Sequence, residues 1–111
     1  MSTQAGEKGS QPVTPGAIDR LVHEPARLLI MAHLRVVESA DFNFLRQRTH
    51  LTWGNLSSHL RKLEEAGYVI IEKTYLGKRP YTLLALSADG RSAFDTYTNQ
   101  MQSLLAGIQP D

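Results

Sequence analysis

The chain has no cysteine among its 111 residues. That absence removes disulfides, thiolate chemistry, sulfur-ligated zinc and thiol-based redox sensing together. Long apolar runs are missing too. The hydrophobic patches are broken by His33, Arg35 or Glu38, so none reaches the roughly 20 residues of a bilayer-spanning helix. No positively charged and then apolar leader pattern opens the sequence. A soluble, cytoplasmic protein without a membrane partner is expected, stabilised by packing and by a second subunit. Catalytic patterns are also lacking. His23, His33, His50 and His59 fall on different expected elements without metal-ligand spacing, and there is no Gly-rich phosphate loop, serine elbow or converging carboxylate pair. Neither an enzyme nor a metal or cofactor site is expected.

What is present is charge in one place. The formal net charge is only +1, but residues 46–81 hold Arg46, Arg48, Arg61, Lys62, Lys73, Lys78 and Arg79 against Glu64, Glu65 and Glu72. Seven basic against three acidic groups make that third of the chain +4 and leave −3 for the rest. Such a concentration suits a directed electrostatic footprint rather than a general affinity for polyanions.

At this length one domain is expected. Residues 1–16, rich in Gly, Ser, Gln, Thr and Pro, bury too little to offset ordering entropy and read as a flexible tail, leaving a domain over 17–109. A short helix is expected over Ala17–Val22. Pro25 opens a second, running to about Glu38, with Leu28, Leu29, Ala32 and Val36 at helical spacing. Ala40–Asn43 reads as an extended link and Phe44–Thr49 as a helix of under two turns. Thr52 then caps a helix that ends near Ala66-Gly67, which makes a helix-turn-helix. Tyr68–Tyr75 and Tyr81–Leu86, joined by a turn over Leu76–Pro80, form an antiparallel hairpin. Ser87 caps a last helix, with Asp89 in its first turn. The fold class is therefore mainly α with a small β-hairpin (α+β): a winged helix-turn-helix with a long C-terminal dimerisation helix.

At 100° per residue, Leu56, Leu60 and Leu63 share the inward stripe of the helix after Thr52. Gly54, Asn55, Ser58, Arg61 and Lys62 lie outward, with Thr52 and His59 beside them. Asn pairs with adenine, Arg with guanine, and Ser with either or with phosphate, so this polar face is expected at base edges in the major groove. His59 is also close to the core boundary, and Trp53, near the edge of the stripe, is expected half-buried. Gly54 costs about 1 kcal/mol of helix stability relative to Ala. Lys78 and Arg79 are held at the hairpin tip by Gly77 and Pro80, and Lys73 lies on its outer edge. These three are expected on phosphates or in a minor groove.

Several fragments in order carry a family resemblance: Pro25-Ala26-Arg27-Leu28-Leu29-Ile30, Leu51 through Leu60, Leu63-Glu64-Glu65-Ala66-Gly67-Tyr68-Val69, Lys73 with Gly77-Lys78-Arg79-Pro80-Tyr81-Thr82, and Leu86-Ser87 with Gly90-Arg91. Together they resemble the compact winged-helix transcriptional regulators related to MarR and ArsR proteins. The resemblance implies a homodimer on a pseudo-palindromic DNA operator, with Thr52, Asn55, Ser58, His59, Arg61 and Lys62 at the major groove and Lys78 and Arg79 in the wing. The cysteine pair of thiol sensors and the acid and histidine cluster of an ArsR metal site are both missing, so the resemblance leaves open what, if anything, the protein senses.

Phe94, Tyr97, Met101, Leu104 and Ile108 recur at steps of 3, 4, 3 and 4, with Leu105 adjoining. On a helix of about 20 residues, roughly 30 Å long, this heptad seam is expected to pair with the same helix of a second subunit. That pairing would set two reading helices about 34 Å apart, one DNA turn. Ile18 and Leu21 are expected to join the interface. The competing reading is a winged-helix module that binds an acidic protein partner without DNA specificity.

Overall fold

The structure, a computed structural model, describes residues 13–108. Most of the expected tail, and residue 109 of the expected domain, therefore lie outside the described residues. Helix α1 spans Pro25–Arg35, α2 Phe42–Thr49, α3 Trp53–Glu65 and α4 Ala88–Ala106. Strands β1 (Ala40–Asp41), β2 (Val69–Leu76) and β3 (Arg79–Leu86) form one antiparallel sheet in the order β1-β3-β2.

Side chains in the first turns decide where most helices begin. The Glu24 carboxylate accepts from the Arg27 amide at 2.8 Å with Pro25 in the first turn of α1. Asp41 accepts from Phe44 N at 2.7 Å. That cap starts α2 at Phe42, two residues earlier than the sequence suggested, because Asp41 satisfies amides that would otherwise be orphaned. Helix α2 stops at His50, whose φ of 60° is left-handed.

The helix expected over Ala17–Val22 is absent. A single 3-10 turn covers Pro15–Ala17, and the Asp19 carboxylate then accepts from the amides of Leu21 (2.9 Å) and Val22 (3.4 Å). Aspartate competes for backbone amides in this way, and so short a segment gains little from helix propagation. Helix α1 likewise ends at Arg35 rather than near Glu38. The Arg91 guanidinium of α4 donates to the last carbonyl of α1, Arg35 O, at 3.2 Å and to Val37 O just beyond it at 3.1 Å.

The extended link expected at Ala40–Asn43 is partly a strand. Ala40 pairs with Leu84 and Asp41 with Leu83, so the hairpin gains a third strand that anchors α2. The hairpin turn is also tighter than expected: Leu76 pairs with Arg79, leaving only Gly77-Lys78 as the loop. Gly77 has φ 64°, the positive value that a two-residue turn with glycine first demands.

The core joins Val22, Ile30, Met31 and Leu34 to Leu45, to Leu56, Leu60 and Leu63 of α3, to Val69, Leu84 and Leu86 of the sheet, and to Tyr97 of α4. Ser87 caps α4 by accepting from Gly90 N at 2.9 Å. At Gly90 a Cβ would stand 2.1 Å from the Tyr68 carbonyl oxygen, so glycine is what lets α4 start against the entry to β2.

Helix α4 corrects one expectation. Tyr97 lies in the monomer's own core, 6% exposed, and its hydroxyl is 2.7 Å from His23 Nδ1. Ile18, Leu21, Phe94 and Met101 also pack partly buried against that core. The chain before α1 folds across α4, with Gln100 Nε2 donating to Ala17 O at 2.9 Å. A heptad spacing does not say which chain fills it, and here the first half is filled from within. Leu104, Leu105 and Ile108 remain exposed.

Candidate nucleic-acid interface

Helix α3 is aimed by its leucines. Leu56, Leu60 and Leu63 are at most 1% exposed, so burying that stripe turns Asn55, Ser58, Arg61 and Lys62 to solvent. Thr52 Oγ1 accepts from Asn55 N at 3.1 Å, so the Thr52 hydroxyl is spent on the helix end while the residue stays exposed. A Cβ at Gly54 would meet nothing within 4 Å among the described residues, so none of them requires glycine there.

His59 departs from the outward face. Its Nδ1 is 3.2 Å from Arg27 Nη1 and 3.9 Å from Glu24 Oε1. A guanidinium only donates, so in the contact with Arg27 this nitrogen accepts. Arg27 also donates from Nε to Leu21 O at 2.6 Å, which ties α3 and α1 to the segment before α1. Burial alone would raise the Glu24 carboxyl. The Arg27 amide and the nearby His59 and Arg27 side chains outweigh it and hold the carboxyl below its usual range. His59 thus fixes the base of α3 rather than joining its polar face. The physical reason is its angle: it borders the leucine stripe on the side where α1 packs.

On the opposite flank a groove of about 500 Å³ separates α3 from the wing, lined by Phe42, Ser57, Arg61, Glu64, Lys73 and Thr82 among others. Lys73 and Arg61 therefore face a common space, although they lie 12 positions apart in the chain. Lys78 and Arg79 are exposed at the far end of the hairpin, with Tyr75 and Leu76 beside them, 68% and 59% exposed. Those two side chains extend the wing as an apolar as well as a basic finger, which the charge pattern did not indicate.

A second feature escaped sequence reasoning. Trp53, at the start of α3, is 52% exposed and lies parallel to Phe42, with ring centroids 4.8 Å apart and planes at 9°. The Arg46 guanidinium carbon is 5.1 Å from the Trp53 ring centre, and that of Arg48 is 4.6 Å from Phe44. Both distances are in cation–π range. Half-burial of Trp53 was legible from its angle; its partners were not, because they come from another helix.

Taken together, α2 and α3 make a helix-turn-helix, and β2–β3 projects beside it with its basic tip exposed. A family model described as a winged helix DNA-binding domain matches residues 26–105. The chain belongs to the winged-helix DNA-binding family. An uncharacterised protein of Methanocaldococcus jannaschii is 34% identical over 90 residues, covering 81% of this chain and 98% of that one. A transcriptional regulator homologue from Pyrococcus horikoshii OT3 superimposes with a TM-score of 0.78 at 28% identity, over 83% of this chain and 91% of that one. A MarR-family transcriptional regulator from Silicibacter pomeroyi has a TM-score of 0.61 at 21% identity, over 82% and 63% of the two chains, a likeness of fold. In winged-helix terms, α2 and α3 are the helix-turn-helix and β2–β3 is the wing. Among the described residues no helix is long and apolar enough to cross a membrane, and no three metal-binding side chains gather.

Proposed function

We propose that this winged-helix protein is a cytoplasmic, sequence-specific regulator of transcription that binds double-stranded DNA as a homodimer. The observation that carries the reading is the uncovered polar face of α3: Asn55, Ser58, Arg61 and Lys62 are all exposed beside a hairpin ending in Lys78 and Arg79. An exposed row of this chemistry fits the donor and acceptor pattern of the major groove. The wing and Lys73 supply charge for the flanking phosphates, and Thr52 starts the helix at the groove. His59 acts from behind, holding α3 against α1.

The dimer rests on the end of α4. Leu104, Leu105 and Ile108 are 37%, 67% and 66% exposed, an apolar end that a second copy of the same helix would cover. Phe94, Met101, Ile18 and Leu21 pack partly buried against the chain's own core, so they contribute at most their exposed parts to that interface.

Selection of bound fragments from random duplexes, with the size of the free protein measured in parallel, tests both parts. Arg61→Ala should relax base preference at one position of the selected site. Arg79→Ala should weaken selected and random duplexes alike and reduce the salt dependence by about one counterion. Equal affinity for selected and random duplex at every salt concentration would overturn sequence specificity.

A further inference from the structure

The proposed DNA contacts leave Arg46, Trp53 and Phe42 unassigned, although the three side chains stack on one another beside the start of α3. Trp53 begins α3, the end that enters a groove first. Phe42 stacks on its ring and also lines the space between α3 and the wing. Arg46 lies over the same ring and is exposed. Among the described residues no carboxylate is within ion-pair distance of it.

An arginine held by an aromatic ring rather than by an acid keeps its donors free. The stack also removes part of the rotamer entropy that a long side chain loses on binding. Trp53 keeps 52% of its surface exposed beside Arg46, an apolar surface that suits contact with a deoxyribose. We propose that Phe42, Trp53 and Arg46 form a preorganised clamp on the DNA backbone, with Arg46 on a phosphate and the exposed part of Trp53 against the neighbouring sugar. This inference rests on the DNA-binding reading above and deepens it. The clamp contacts the backbone beside the groove that α3 reads, so it fixes register without selecting sequence.

Trp53 is the chain's only tryptophan, so its emission reports this site alone. The full-length protein would be titrated with a duplex obtained by selection and with a random duplex of equal length. A gel shift would be run on the same samples. Saturation with either duplex should change the emission and lower acrylamide quenching of Trp53 at least about twofold. Arg46→Ala, at an exposed position, should retain the helical circular dichroism of the parent. It should lose about tenfold in affinity for both duplexes and reduce the slope of log affinity against log salt by about one. Full gel shifts with unchanged emission and quenching would overturn the clamp while leaving the DNA reading intact. So would an Arg46→Ala variant with the parent's salt slope. No shift of any duplex would overturn both.

Discussion

Helices α3 and α4 are both amphipathic and both cross the core, yet they leave opposite kinds of surface uncovered. The leucines of α3 are consumed entirely inside, so what remains outside is Asn55, Ser58, Arg61 and Lys62. Helix α4 spends Tyr97, Phe94 and Met101 on its own chain and then outruns it, leaving Leu104, Leu105 and Ile108 exposed. A polar face with unpaired donors suits a polyanion whose groove edges are themselves polar. An apolar helix end suits another apolar helix end. One fold thus leaves uncovered two surfaces of different chemistry, and they can be separated by substitution.

The sharpest break in the comparison is in the shared interior. Leu60→Ala, at a side chain 1% exposed, should lower the unfolding free energy by about 2–5 kcal/mol and abolish DNA binding with it, as read by denaturant unfolding. Leu105→Glu should do something different. With 67% of the side chain exposed, the monomer should unfold within about 0.5 kcal/mol of the parent, while the dimer, burying two unpaired carboxylates, should weaken on the order of 100-fold by sedimentation. An unchanged dimer would move the interface away from the end of α4.

A smaller effect concerns how the segment before α1 is tied to the wing. The Tyr68 hydroxyl donates to Asp19 Oδ2 at 2.5 Å. The hydrogen bond to Asp19, then burial and the negative charges of Asp19 and Asp89, push its pKa from 10.0 up to about 12. Because the neutral phenol is favoured in the folded state, its contribution is complete below about pH 10 and disappears as pH rises toward about 12. The difference in denaturation midpoint between the parent and Tyr68→Phe should therefore be constant up to pH 10 and shrink above it. A difference that stays flat through pH 12 would remove Asp19 as the partner that matters.

Much of this was legible locally. The Leu56, Leu60 and Leu63 stripe, the Thr52 and Ser87 caps, and the strands on either side of Gly77 each depend on residues within a few positions of one another. Where Asp41 and Asp19 replaced helix with cap and turn, the deciding hydrogen bonds were also local, but aspartate is compatible with both outcomes. Other features had no local signature. A two-residue strand such as Ala40–Asp41 shows no period, and its partners lie more than 40 residues away. His59 and Trp53 sit near the edges of one stripe. Only the packing of α1 on one flank and α2 on the other turned the first inward and left the second half-open.

The order of its residues alone therefore settled that this chain makes a helix-turn-helix followed by a basic hairpin and a long helix, because caps, turns and apolar periods act over one or two turns of backbone. Tertiary structure decided which half of α4 its own chain would use, why Gly90 has room for no side chain, and that Arg46 would lie on Trp53. Those outcomes depend on surfaces brought together from distant parts of the sequence, and contact between such surfaces exists only once the core has closed.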